Sequence, residues 1–191
     1  SLGSTYQNHH TGSFGLMGAL SFNGNKIVTT GGGGAILCSG DLYLKGKHLS
    51  TTAKMPDNIH FLHDEVGFNY RLPNINAALG CAQLVSIETF IASKRALAGE
   101  YAELFQGSNL KFFTEPKNCR SNYWLNTVIC SDQRQRDELL SFLNSKKIMA
   151  RPTWTPMNQL PIYRKAIAGN LQNTKWLNER IVNIPSTPPL I

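Results

Sequence analysis

Four consecutive glycines, Gly31 to Gly34, sit within a stretch of short apolar runs in this 191-residue chain. Each glycine costs a helix interior about 1 kcal/mol relative to alanine, so no helix passes through this point. The run predicts a loop in which backbone approaches a neighbour closely or takes positive φ. Around it, Leu16 to Phe22, Ile27-Val28 and Ala35 to Cys38 are apolar and separated by glycine, which predicts short buried strands joined by tight turns.

Lys26 follows the first of these runs and the letters "SFNG", and precedes the glycines. An amine held there lies among backbone amides and small residues, where a lysine serves as a nucleophile or proton carrier. The glycine amides and the hydroxyls of Ser21, Thr29 and Thr30 are candidates to bind a phosphate beside it. A plain surface lysine at a hairpin turn fits the same letters. A nucleotide P-loop does not fit, because Asn25 separates Gly24 from Lys26 and the chain continues as Ile27-Val28 rather than Ser/Thr and a helix.

A composition of 41% hydrophobic and 16% charged residues is that of a globular chain and excludes disorder as its main state. No apolar run approaches the roughly 18 to 20 residues of a membrane span, and Lys26, Lys45 and Lys47 interrupt the best candidates. Residue 1 is Ser, no basic and apolar leader follows it, and the natural start is expected upstream. The formal charge of +7 favours anionic partners. The basic residues are scattered, the longest run being Lys146-Lys147, which argues against a polynucleotide track. Cys38, Cys81, Cys119 and Cys130 have no CxxC spacing and read as buried thiols of a cytoplasmic protein.

Residues 40–49 predict a short helix, and residues 50–64 an exposed loop. "HFLHDE" gathers His60, His63, Asp64 and Glu65, but Pro56 and Gly67 oppose a helix that would align them as metal ligands. Pro73 and Asn74 mark a helix start, and apolar residues then recur at helical spacing to Leu104, with a bend expected near Ala92 to Gly99. The last third predicts strands at 110–113, 122–130 and 148–152 and helices at 132–147 and 173–181. No GxSxG elbow or Cys-His arrangement supports hydrolase chemistry.

"GSFGLMGALSFNGNKIVTTGGGGAI", followed by "HDEVGFNYRLPNINAALGCAQL", closely resembles the DegT/StrS family of pyridoxal-phosphate sugar aminotransferases. The likeness continues through "ARPTWTPMNQLPIY" to "WLNERIVNIPS". The tetraglycine, where the family more commonly has Gly-Glu-Gly-Gly, and the "RPTWTPMN" segment are similar to the branch that makes legionaminic-acid and bacillosamine type sugars.

The resemblance implies an α/β fold of the fold-type I aminotransferase class. Residues 1–92 are then the second half of the large cofactor domain, and residues 93–191 a small α+β domain. It implies pyridoxal 5'-phosphate as cofactor, with Lys26 as the lysine that holds it as a Schiff base and Ser21 as a ligand of its phosphate. Asn69 in "GFNYR" is then the residue that reaches the phosphate of a neighbouring protomer, so a homodimer is implied. Arg71, Arg151, Trp154 and Asn158 are implied to line the sugar-nucleotide pocket. The activity implied is transfer of an amino group from glutamate to C4 of a nucleotide-linked 4-keto-6-deoxy-2-acetamido sugar, with no nucleic-acid or membrane partner. The nucleotide and the sugar stereochemistry stay open.

Family members are about twice this long, and the aspartate that pairs with the pyridine nitrogen is expected a few residues before Ser1. By itself the chain is therefore expected to be a carboxy-terminal portion with little or no turnover. A regulatory or interaction protein built on the same fold is the alternative.

Overall fold

The computed structural model of the chain describes residues 1–57 and 59–188. Its first half carries strands β1 (Thr5–Tyr6), β2 (His9–His10), β3 (Gly18–Ser21) and β4 (Gly34–Leu37), then helices α1 (Asp41–Ser50) and α2 (Asn74–Val85). Helix α3 (Ile87–Leu104) leads into β5 (Lys111–Phe112), β6 (Cys119–Arg120), β7 (Asn126–Ile129) and helix α4 (Gln133–Ser145). Strand β8 (Arg151–Pro152), helix α5 (Gln172–Asn178) and strand β9 (Ile181–Ile184) complete the order.

These elements form two compact units, Ser1–Ile91 with Lys117–Asn122, and Ala92–Pro116 with the chain from Tyr123 onward. A single cut near residue 92 does not anticipate that 117–122 returns to the first unit. It returns because β6 pairs antiparallel with β1, placing Thr5 opposite Arg120, and because Asn122 N–H donates to Ser4 Oγ at 3.0 Å.

In the first unit β3 and β4 form an antiparallel hairpin, Gly18 opposite Leu37 and Ser21 opposite Gly34. Ile27-Val28, expected as strand, belongs instead to the connecting loop. Phe22 carbonyl accepts from Thr30 N–H at 3.0 Å and Thr29 Oγ1 at 3.1 Å, so the loop closes on itself. Val28 is buried as an anchor without pairing.

Helices α2 and α3 meet at a 61° bend, and the break is at Ser86 rather than in Ala92 to Gly99. Ser86 N–H bonds back to Gln83 and Leu84 carbonyls, a tightened last turn at a residue type that favours helix ends. The Ala92–Gly99 stretch stays helical within α3. No single described helix is long and apolar enough to cross a membrane.

The second unit is a four-stranded antiparallel sheet in the order β5-β7-β9-β8. Strand β9 was not expected, because Ile181 reads as the end of the preceding helix. The helix stops at Asn178, and the β-branched Ile-Val-Asn-Ile alternates half-buried and buried in the sheet interior. Phe112, Val128, Val182 and Ile184 pack with Ala98 of α3, and Leu139, Leu140 and Leu143 of α4 cover them. Of the four cysteines only Cys130 is buried, and burial pushes its thiol up; Cys81 is exposed and the other two are intermediate, which corrects the expectation of four buried thiols.

Asp132 caps α4, its Oδ1 accepting from Gln135 N–H at 2.9 Å. That backbone bond, with a further one from the Ser131 hydroxyl, holds its carboxyl below the ordinary value of 3.8. A carboxylate whose pKa is lowered by folding stabilises the fold above its unfolded pKa, and the contribution is lost as pH falls through the folded value. Amide exchange at Gln135 is therefore expected to speed up as pH falls below 3.8 once intrinsic rates are corrected for, and Asp132→Asn is expected to abolish that pH dependence.

Candidate active site

Residues 22–33 join β3 to β4 and carry Lys26 in a turn in which Lys26 N–H donates to Asn23 carbonyl at 3.0 Å. Asn23 Oδ1 accepts from Gly24 N–H at 2.9 Å, so the approach to Lys26 is fixed locally. The Lys26 side chain is half-buried.

Ser21, at the end of β3, is exposed. Its Oγ accepts a long bond from Asn23 N–H at 3.4 Å, and its own proton has no acceptor among the described residues. Thr29 and Thr30 differ from this. The Thr29 hydroxyl donates to Phe22 carbonyl at 3.1 Å and accepts from Gly31 N–H at 2.9 Å, while the buried Thr30 hydroxyl donates to Gly32 carbonyl. Both threonines hold the loop together, so of the three hydroxyls expected to cup a phosphate only Ser21 offers a proton outward.

The glycines have separate reasons to be there. Gly33 takes φ of +92°, and a Cβ on it would lie 2.7 Å from Leu72 Cδ1. A Cβ on Gly34 would lie 2.4 Å from the Leu20 carbonyl oxygen. Gly32 has open space and no positive φ.

One face of α2 grips this loop. Gln83 Oε1 accepts from Thr29 N–H at 2.9 Å, and Asn76 Nδ2 donates to Thr30 carbonyl at 2.5 Å. Between them Gly80 admits the Thr30 methyl, where a Cβ would come within 2.8 Å. Asn76, Gly80 and Gln83 are spaced i, i+4, i+7, one stripe of a helix. Two carboxamides and a glycine at this spacing on a largely apolar helix are the signal that the sequence offers for this grip.

Asn69 and Arg71 lie on a different segment of the same unit. Residues 68–70 zip against the end of α1: Phe68 N–H donates to Leu49 carbonyl at 2.7 Å, Tyr70 N–H to Ser50 carbonyl at 2.9 Å, and Asn69 forms an antiparallel bridge with Thr51. Gly67 backs directly onto the Thr52–Ala53 backbone. Phe68 and Tyr70 stack at 5.2 Å, and Asn69 alternates to the other side, exposed like Arg71. Neither side chain has a hydrogen-bond partner among the described residues.

Of "HFLHDE", His60 and His63 turn away, whereas Asp64 and Glu65 come together with His48 of α1, their ligand atoms all within 4.8 Å of one another. His60 Nδ1 faces Asp57 at 3.3 Å, and His63 Nδ1 bonds Thr52 carbonyl at 2.7 Å. His48 of α1, which the motif does not include, meets Asp64 at 2.6 Å, and Lys45 meets Glu65 at 2.5 Å. The His48 hydrogen bond holds the Asp64 carboxyl below its usual range.

Arg151, Trp154 and Asn158 belong to the second unit, so the candidates fall on two separate units. Arg151 lies on the edge strand β8, its Nη2 3.9 Å from Met149 Sδ, and all three residues are exposed.

Lys26 is thus half-buried on a loop that Gly80 lets run close to α2, and Ser21, where that loop leaves β3, keeps an outward hydroxyl. The DegT/DnrJ/EryC1/StrS aminotransferase family matches residues 1–191. GDP-perosamine synthase of Escherichia coli O157:H7 is 32% identical over 196 residues, spanning 98% of this chain and 51% of that protein. The UDP-4-amino-4,6-dideoxy-N-acetyl-beta-L-altrosamine transaminase of Helicobacter pylori is 29% identical over 174 residues, 86% of this chain and 45% of that one. Among solved structures, Helicobacter pylori PseC, an aminotransferase involved in the biosynthesis of pseudoaminic acid, superposes with a TM-score of 0.90 at 24% identity, over 97% of this chain and 52% of that one. The chain spans about half the length of the curated relatives it matches.

Proposed function

The chain belongs to the DegT/DnrJ/EryC1/StrS aminotransferase family, and from that premise we propose that it is part of a pyridoxal-phosphate enzyme that transfers an amino group to a nucleotide-linked keto sugar. The donor is glutamate and the acceptor carbon is C4 of a 4-keto-6-deoxy-2-acetamido sugar. The observation that carries this reading is Lys26, half-buried on a loop fixed by its own hydrogen bonds and by α2.

Bound pyridoxal phosphate supplies an electron sink for the bond broken at the amino-acid Cα. Lys26 Nζ holds the cofactor through its aldehyde carbon. With pyridoxal phosphate bound, Lys26 Nζ would be the group that holds and moves the proton taken from the amino-acid Cα. The same nitrogen would serve as the proton carrier for the keto-sugar half of the reaction. Ser21 Oγ donates to the cofactor phosphate, and Asn69 reaches the corresponding phosphate of a second protomer. Arg71 in the first unit, and Arg151, Trp154 and Asn158 in the second, are the residues assigned to the sugar nucleotide, and a guanidinium suits its diphosphate. Relatives named for perosamine and altrosamine products support a sugar acceptor.

Incubation of the complete enzyme with pyridoxal phosphate, followed by borohydride reduction and peptide mapping, is expected to fix the cofactor mass on Lys26. An unmodified Lys26 peptide, or label spread over surface lysines, refutes the reading.

A further inference from the structure

We propose that Trp124 and Trp154 form a stacking platform for the nucleobase of the sugar nucleotide, with Trp154 as the outer ring. This inference rests on the nucleotide-sugar reading above and assigns the base, not the sugar, to this pair.

Both residues belong to the second unit. Trp124 lies two residues before β7 and Trp154 two residues after β8, strands that flank β9 in the sheet. Their ring centroids are 6.3 Å apart with planes inclined by 23°, a stacked pair. Trp154 is nevertheless 69% exposed. Indoles are on average among the well-buried side chains, so an exposed one held in place stands out.

The segment that carries it is fastened. Asn178, the last residue of α5, donates through Nδ2 to Thr153 Oγ1 at 2.9 Å and to the Trp154 carbonyl at 3.3 Å. Arg136 Nη1 in turn donates to the Asn178 carbonyl at 2.7 Å. Trp124 then backs one side of the ring, so little side-chain freedom remains to be lost on binding. The other exposed tryptophan, Trp176, has the Arg180 guanidinium 4.8 Å over its ring and is already occupied.

An aromatic platform accepts any base, because every base has a π-face. Arg151, exposed on β8 three residues before Trp154, supplies positive charge on the same segment for the diphosphate that follows the base.

The test uses the complete enzyme with Trp176→Phe as background, titrated with UDP, GDP and inorganic pyrophosphate while indole emission is followed. At least one nucleotide is expected to quench emission saturably, and pyrophosphate at the same concentration is not. Trp154→Ala is expected to raise the nucleotide Kd by roughly 5- to 150-fold, the equivalent of about 1–3 kcal/mol for one stacked base. Trp154→Phe, which keeps an aromatic face, is expected to retain most of the affinity. The platform is refuted by an unchanged Kd in Trp154→Ala, by equal quenching with pyrophosphate, or by a Trp154 that acrylamide cannot reach in the unliganded enzyme. Borohydride labelling of Lys26 needs no nucleotide, so label without stacking sinks the platform alone, and stacking without label sinks the reaction reading alone.

Discussion

Lys26→Ala is expected to lower amino transfer by the complete enzyme by about 10³-fold or more. General acid–base catalysis by one positioned group contributes about 10²–10⁴-fold, and Lys26 is assigned a covalent role besides the proton transfer. Single-turnover assays separate the two half-reactions, and both should slow, since the same nitrogen carries the proton in each direction. A variant within tenfold of wild type in either half-reaction would mean that some other group is the proton carrier.

Gly34→Ala is expected to destabilise the first unit by about 2–4 kcal/mol, near the upper end of what a single substitution does. The added Cβ would sit 2.4 Å from the Leu20 carbonyl oxygen, a backbone atom inside the paired hairpin. Unlike the tip of a flexible side chain, that oxygen cannot swing aside, so strands β3 and β4 must part. Cofactor retention should fall with stability, because Ser21 is the register partner of Gly34. Gly32→Ala is the matched control: with nothing near the added carbon, its effect should stay within about 0.5 kcal/mol. Denaturant midpoints of the two variants decide the matter, and equal midpoints would count against the close approach.

Local features of the fold were legible where the sequence carried a local signal. The start of α2 after Pro73, the amphipathic stripe of α4 and the apolar run that becomes β3 each follow from spacing and turn chemistry within a few residues. Strands β1, β2 and β6 have two residues each, too few for an alternating pattern, and their pairing brings Thr5 to Arg120 across the chain. Strand β9 is missed in the sequence because Ile181 reads as the end of the preceding helix. The sheet contacts that decide the matter come from β7 and β8, far away in sequence.

The candidate site divides in the same way. Ser21 ends β3 and Lys26 lies in the loop that follows, near enough in sequence to be read together, whereas the roles of Thr29 and Thr30 depend on how that loop closes. Their hydroxyls look like phosphate ligands until the loop folds and consumes them. The α2 stripe of Asn76, Gly80 and Gln83 serves a loop some fifty residues upstream, and no local pattern announces such a partner.

Gly32 has a consequence for diversification. It is flanked by Gly31 at φ of +78° and by Gly33 and Gly34, whose geometry rejects a side chain, yet it is itself unencumbered. In the commoner Gly-Glu-Gly-Gly arrangement the glutamate falls on this position. Lineages can therefore exchange a charge at that one address, close in sequence to Lys26, without rebuilding the scaffold beneath it.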